Sequence, residues 1–138
     1  MSVKDIRPAL RAFLLADAGI AAMVGAERIY PLVLPQGVTQ PSIVYSRITG
    51  FGDHHMQGAS GLTRPRLQID AWAAAADDAT DLADLVKARL DGFSGALTAG
   101  AETVEVQGVF FDSEREDYEK DLKLYRISRD YLVWFAER

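Results

Sequence analysis

The sequence predicts an α+β fold: a mixed, mainly antiparallel sheet of about four to five strands, with two N-terminal helices and one longer helix packed on one face. Three observations carry this. Apolar residues recur at helical spacing in the first 24 residues and again after residue 76, β-branched and aromatic runs alternate at 42–49, 64–72 and 123–135, and no internal repeat or linker divides the chain. Ile, Leu, Val and Phe make up 37 of the 138 residues, enough for a real core, and residues 1–138 are expected to form one domain.

Taken in order, Ile6, Leu10, Phe13 and Leu14 share a helical stripe, Asp5 is placed to cap it and Pro8 lies in the first turn, where a missing N–H costs least; a helix is predicted over 5–16. Asp17 offers a second cap for AGIAAMV and Gly25 a left-handed stop, which predicts a short helix at 18–24. RIYPLV, from Arg28, is β-rich but interrupted by Pro31, a residue that suits an edge strand. PQGVTQP follows as a loop. SIVYSRIT at 42–49 sets Ile43, Tyr45 and Arg47 on one face and Val44 and Ile48 on the other. RPRLQIDAW at 64–72 turns Leu67, Ile69 and Ala71 inward against Arg66, Gln68 and Asp70, which predicts a wet outer face.

Between those strands FGDHHMQGASGL, residues 51–62 with three glycines, reads as a long, mobile excursion rather than a tight hairpin. Leu82, Val86, Leu90 and Phe93 then form a stripe bounded by Asp77 or Asp78 as cap and Gly92 as stop, predicting a helix at 77–91. ETVEVQGVFFD at 102–112 and KLYRISRDYLVWF at 123–135 are expected to pair as a long hairpin through the charged connection SEREDYEKDL. Leu132 and Trp134 make both faces of the last strand apolar, which marks its end for contact with another element or subunit. The helix between the third and fourth strands permits one crossover, hence a mixed sheet.

Composition excludes several functions. With 15 basic against 20 acidic residues the formal charge is −5, which disfavours affinity built on phosphate neutralisation. Absence of cysteine removes disulfides, thiolate catalysis and Cys-based metal sites. Lys4, Asp5, Arg7, Arg11 and Asp17 interrupt the N-terminal apolar residues, so no signal peptide or membrane span is expected there and the chain is expected in the cytoplasm.

Asp53, His54 and His55 combine carboxylate and imidazole, the ligands zinc prefers, yet they stand together on a glycine-containing loop without firm backbone support. A solvated loop tip is the favoured reading; a small metal-dependent enzyme is the alternative from another class. Neither a nucleophile elbow for Ser60 nor a phosphate-binding glycine loop occurs. Asp112, Glu114, Glu116, Asp117, Glu119 and Asp121 lack calcium-loop spacing and read as a solvated hairpin connection. Tyr125, Tyr131, Trp134 and Phe135 lack the basic stripe of a base-stacking platform and read as core or subunit-contact residues. No catalytic, cofactor or metal residues are assigned, and the chain is expected not to be an enzyme.

The phrases Arg28-Ile-Tyr-Pro31, Pro35-Gln-Gly37, Pro41-Ser-Ile-Val-Tyr45, Arg66-Leu-Gln-Ile-Asp-Ala-Trp72 and Leu124-Tyr-Arg-Ile-Ser-Arg-Asp-Tyr131, in this order and spacing, resemble the tail terminator, or tail completion, proteins of long-tailed phages, prophages and gene transfer agents. The likeness spans nearly the whole chain. It implies a small α+β subunit that forms a ring, typically a hexamer, on the head-proximal end of the tail tube, stops tube growth and offers a surface for head joining. Implied partners are other copies of the chain, the major tail tube protein and a head-completion or connector protein, with double-stranded DNA passing unbound; no membrane is involved. The implied location is the cytoplasm during assembly and then the virion. A head–tail connector ring is the neighbouring alternative.

A compact chain of this length is ~37 Å across, so a ring of six leaves room for a duplex. Acidic character suits such a bore, since carboxylates repel phosphates. A ring needs head-to-tail contacts between two different patches. The loop 51–62 is the first candidate, with Phe51, Met56 and Leu62 as apolar anchors around Asp53, His54 and His55; Trp134 and Phe135 are the second.

Overall fold

The computed structural model of the chain describes residues 6–49, 52–55, 58–63, 66–99 and 102–136. Helix α1 (Arg7–Leu15) buries Ala9, Leu10 and Leu14, with Pro8 in its first turn as expected. Its N-cap is Ile6, without a side-chain cap bond, and Asp5 lies outside the described residues. Helix α2 (Ala18–Val24) is capped as the sequence predicts: the Ile20 N–H donates to Asp17 Oδ1 at 3.1 Å and Gly25 ends the helix at φ 64°.

Strand β1 (Ile29–Pro31) lies at an edge and pairs in parallel with β2 (Ser42–Thr49). Next come β3 (Gly52–His55), β4 (Gly58–Thr63) and β5 (Arg66–Ala73), then α3 (Ala76–Leu90), β6 (Gly95–Ala99), β7 (Glu102–Glu119) and β8 (Leu124–Ala136). The strands form one eight-stranded sheet in the order β1-β2-β5-β8-β4-β3, with β7 also paired to β8, and β6 to β7. The architecture is the expected mixed, mainly antiparallel α+β arrangement, with more strands than the four to five expected.

The extra strands arise where composition hides extended backbone. Strands β3 and β4 pair antiparallel, His54 opposite Ala59 and His55 opposite Gly58, where a loop excursion is expected; main-chain pairing needs no side-chain bulk. Strand β6, rich in Gly and Ala, has no strand signature of its own and is recruited by register against Glu102–Val106. The acidic run is not a connection: β7 continues to Glu119, because Arg126 and Arg129 on β8 meet its carboxylates, and only residues 120–123 turn. Nor do Asp77 and Asp78 cap α3. Ala75 is its N-cap, and the two acids lie in the first turn, where they face the positive end of the helix dipole. Among the described residues the only parallel pair is β1 with β2, rather than strands flanking α3.

Alternation in β2, β5 and β8 decides the layers. Ile43, Tyr45, Leu67, Ile69, Ala71, Tyr131, Val133 and Phe135 join Leu10, Leu14, Ile20, Leu82, Val86 and Leu90 in one core between sheet and helices. On the opposite face Val44, Trp72 and Leu124 form a smaller cluster, covered by Tyr30 and by Leu34 from the loop after β1. That face is less wet than the alternation of β5 predicts: Asp70 and Asp130 are 7% and 4% exposed.

Candidate interaction surfaces

Two buried carboxylates in one sheet face require partners, since an unpaired buried charge costs several kcal/mol. Asp130 Oδ2 accepts from Arg66 Nε at 3.1 Å and from Ser113 Oγ at 3.2 Å, and lies 3.7 Å from Arg115 Nη1. Arg66 also pairs with Asp112 on β7, and its Nη2 donates to Ser113 Oγ. Gln68 links the acids: its Nε2 donates to Asp70 Oδ1 at 2.9 Å while its Oε1 accepts from Arg115 Nη2 at 2.9 Å. Burial pushes the Asp70 carboxyl above its ordinary range, opposed by hydrogen bonds from Ser128 and Gln68 and by the nearby Arg126 and Arg115. The network crosslinks β5, β8 and β7, the three strands on which the rest of the sheet is hung.

Of the candidate contact residues, Phe51 and Met56 lie outside the described residues. Asp53, His54 and His55 form most of β3, and Leu62 pairs with Ala136 at the far end of β8. Among the described residues the hairpin is thus paired to the rest of the sheet through Leu62–Ala136 and Thr63–Phe135. Trp134 stands opposite Gly108, half-buried on the face away from the helices. Phe135 is 1% exposed in the main core, where it presents almost no area to a partner. The structure therefore brings Leu62, Trp134 and Phe135 to one end of the sheet and gives Phe135 an internal role.

Other exposed apolar side chains are absent from the sequence-derived candidates. Phe110 is 52% exposed, next to Leu132, and its ring lies over Gly108, where an added Cβ would meet it at 2.8 Å. The signal for it is the Phe110-Phe111 pair within a strand, because alternation must turn one of two neighbours outward. Phe111 turns inward, edge-on to Tyr131 at 5.9 Å. Leu32 and Val33 are 66% and 70% exposed where the chain leaves β1, with Leu32 at φ 67°, a left-handed conformation that is costly for a bulky residue. At the β7–β8 tip the rings of Tyr118 and Tyr125 pack at a 49° tilt with centroids 4.8 Å apart, both part-exposed. No helix among the described residues is long and apolar enough to cross a membrane.

A search of curated proteins found no match. Among solved structures the chain is similar to one described as the virion of a native gene transfer agent particle, with a TM-score of 0.75 at 20% identity, over 96% of this chain and 95% of that one. That likeness is one of fold. Residues 8–136 match the family described as tail completion protein gp17, a span from the first turn of α1 to the end of β8. With the match running from α1 to the end of β8, the chain belongs to the tail completion protein gp17 family.

Proposed function

We propose that this chain is a structural protein of a phage-like tail: copies close into a ring, with six the expected number, on the head-proximal end of the tail tube, end its polymerisation and present the surface to which the head is joined. The observation that carries the reading is the family match over residues 8–136. The fold supports it, because a sheet pinned by a core on one side and a charged network on the other is a stiff body, and exposed apolar side chains at its edges are what a subunit needs for neighbours. Work of this kind is done by shape and contact rather than by turnover of a substrate.

In this reading the β3–β4 hairpin carries the tube or subunit contact, with Phe51, Asp53, His54, His55, Met56 and Leu62 at or near it and Trp134 beside its attachment. The net charge of −5 suits a bore through which DNA slides. The test is direct: purified chain added to the polymerising tail tube protein of the same particle arrests growth at substoichiometric amounts. Tubes that lengthen at the same rate with and without it would reject the proposal.

A further inference from the structure

Resting on that ring reading, we infer that the ring contact is a knob and a cleft on opposite edges of the sheet: Leu32 and Val33 of one copy enter the cleft between α3 and the β7–β8 tip of the next. The cleft has a volume of about 270 Å³ and is lined by Ala76, Thr80, Tyr118, Tyr125 and Ile127. Leu and Val together carry seven side-chain carbons, each close to the ~30 Å³ that a water molecule occupies, so the pair fills most of it. The knob follows β1, one edge of the sheet; the cleft opens on β7 and β8. Four strand spacings of ~4.8 Å separate β1 from β7 across β2, β5 and β8. Two different, complementary patches on opposite edges of one subunit make a head-to-tail contact, the only kind that closes into a ring of more than two.

Charge supports a second copy as the occupant. Arg47, exposed on β2 beyond the end of β1, lies two residues after Tyr45, whose carbonyl accepts from the Leu32 N–H of the knob at 2.9 Å. The cleft is bordered by Glu116, Asp117 and Arg126; Asp117 pairs with Arg126 at 2.8 Å, which leaves Glu116 as the acid open to an incoming cation, and neither Arg47 nor Glu116 has an ion-pair partner among the described residues. Main-chain pairing between the two edges is obstructed: Pro31 has no N–H to offer, and the facing part of β7 is charged at five of the seven positions from Ser113 to Glu119. Contact through side chains, rather than a continuous sheet, is what remains.

The chain has no cysteine, so oxidation can report the contact cleanly. Leu32→Cys and Thr80→Cys are made singly and together in the full chain, and assembled rings are oxidised. The inference predicts covalent ladders up to ring size from the double variant and monomers from each single one. Assembled rings of the double variant that stay uncrosslinked, or dimers from a single variant, overturn it. Independently, Arg47→Glu weakens ring assembly about tenfold or more and adding Glu116→Arg restores it; failure of the second change to rescue likewise rejects the contact. Rings that form and cap tubes without this crosslink refute the docking alone, whereas unaltered tube growth refutes the functional reading.

Discussion

Removing Arg66 should destabilise the chain more than neutralising the carboxylate it holds, and the reason is an asymmetry of burial. The Asp130 side chain is 5% exposed and the Arg66 side chain 28%. Arg66→Met keeps the aliphatic stem but leaves Asp130 with only Ser113 at 3.2 Å and Arg115 at 3.7 Å. Stranding one member of a fully buried pair costs 3–5 kcal/mol; with two partners retained and a partly exposed cation, about 2 kcal/mol is expected here. Asp130→Asn leaves Arg66 free to turn to Asp112 and to water, and an amide oxygen can still accept, so about 1 kcal/mol is expected. For a domain of this length these losses lower Tm by about 7 °C and about 3 °C. Urea unfolding of both variants and the parent at neutral pH, with m-values compared, measures the difference. An Asp130→Asn variant as unstable as Arg66→Met, or two losses below ~0.5 kcal/mol, would show that the network does not hold the sheet.

Two further outcomes follow from the same face and from the hairpin. The Asp70 carboxyl is raised by burial, so its folded-state pKa lies above the unfolded value of about 3.9; between those values the folded chain holds the extra proton. Its contribution to stability therefore grows as pH falls from the raised midpoint towards ~3.9 and is lost as pH rises through that midpoint. Asp70→Asn should flatten this part of the Tm–pH profile and leave the chain at least as stable at neutral pH, and an unchanged slope would contradict the assignment. Deleting residues 53–60 removes all of β3 but Gly52 and half of β4 yet leaves the Leu62 and Thr63 pairing, so the monomer should keep its Tm within a few degrees while losing the capping of tail tubes; capping at parental efficiency by the shortened chain would remove the hairpin from the contact.

What the sequence reveals and conceals has a physical pattern. Helices α1, α2 and α3 and strands β2, β5 and β8 are legible because each sets an apolar face into the main core, which imposes a period on residues such as Leu10 and Leu14 or Leu67, Ile69 and Ala71. The stop at Gly25 and the cap at Asp17 are legible for a local reason, a conformation or hydrogen bond that few residues supply. Strands β3, β4 and β6 escape because Gly, Ala and Ser leave no periodic mark, and their pairing is dictated by the neighbouring strand. The end of β7 escapes because its charged residues have the composition of a loop, while their counter-ions, Arg126 and Arg129, are set by register rather than by sequence proximity. Burial of Asp70 and Asp130 depends on arginines from other strands, so outward polarity in β5 could not disclose it. The exposed apolar positions are least legible: Leu32 and Val33 look like any strand end until the left-handed backbone of Leu32 and the high exposure of both single them out.

The length of tails made without this protein reports on a role in ending the tube with no intermediate step. Particles assembled from a genome lacking it, viewed by electron microscopy, should carry tail tubes longer than normal and without heads, with normal length restored by the gene in trans. Tails of normal, uniform length in its absence would contradict a role in ending the tube.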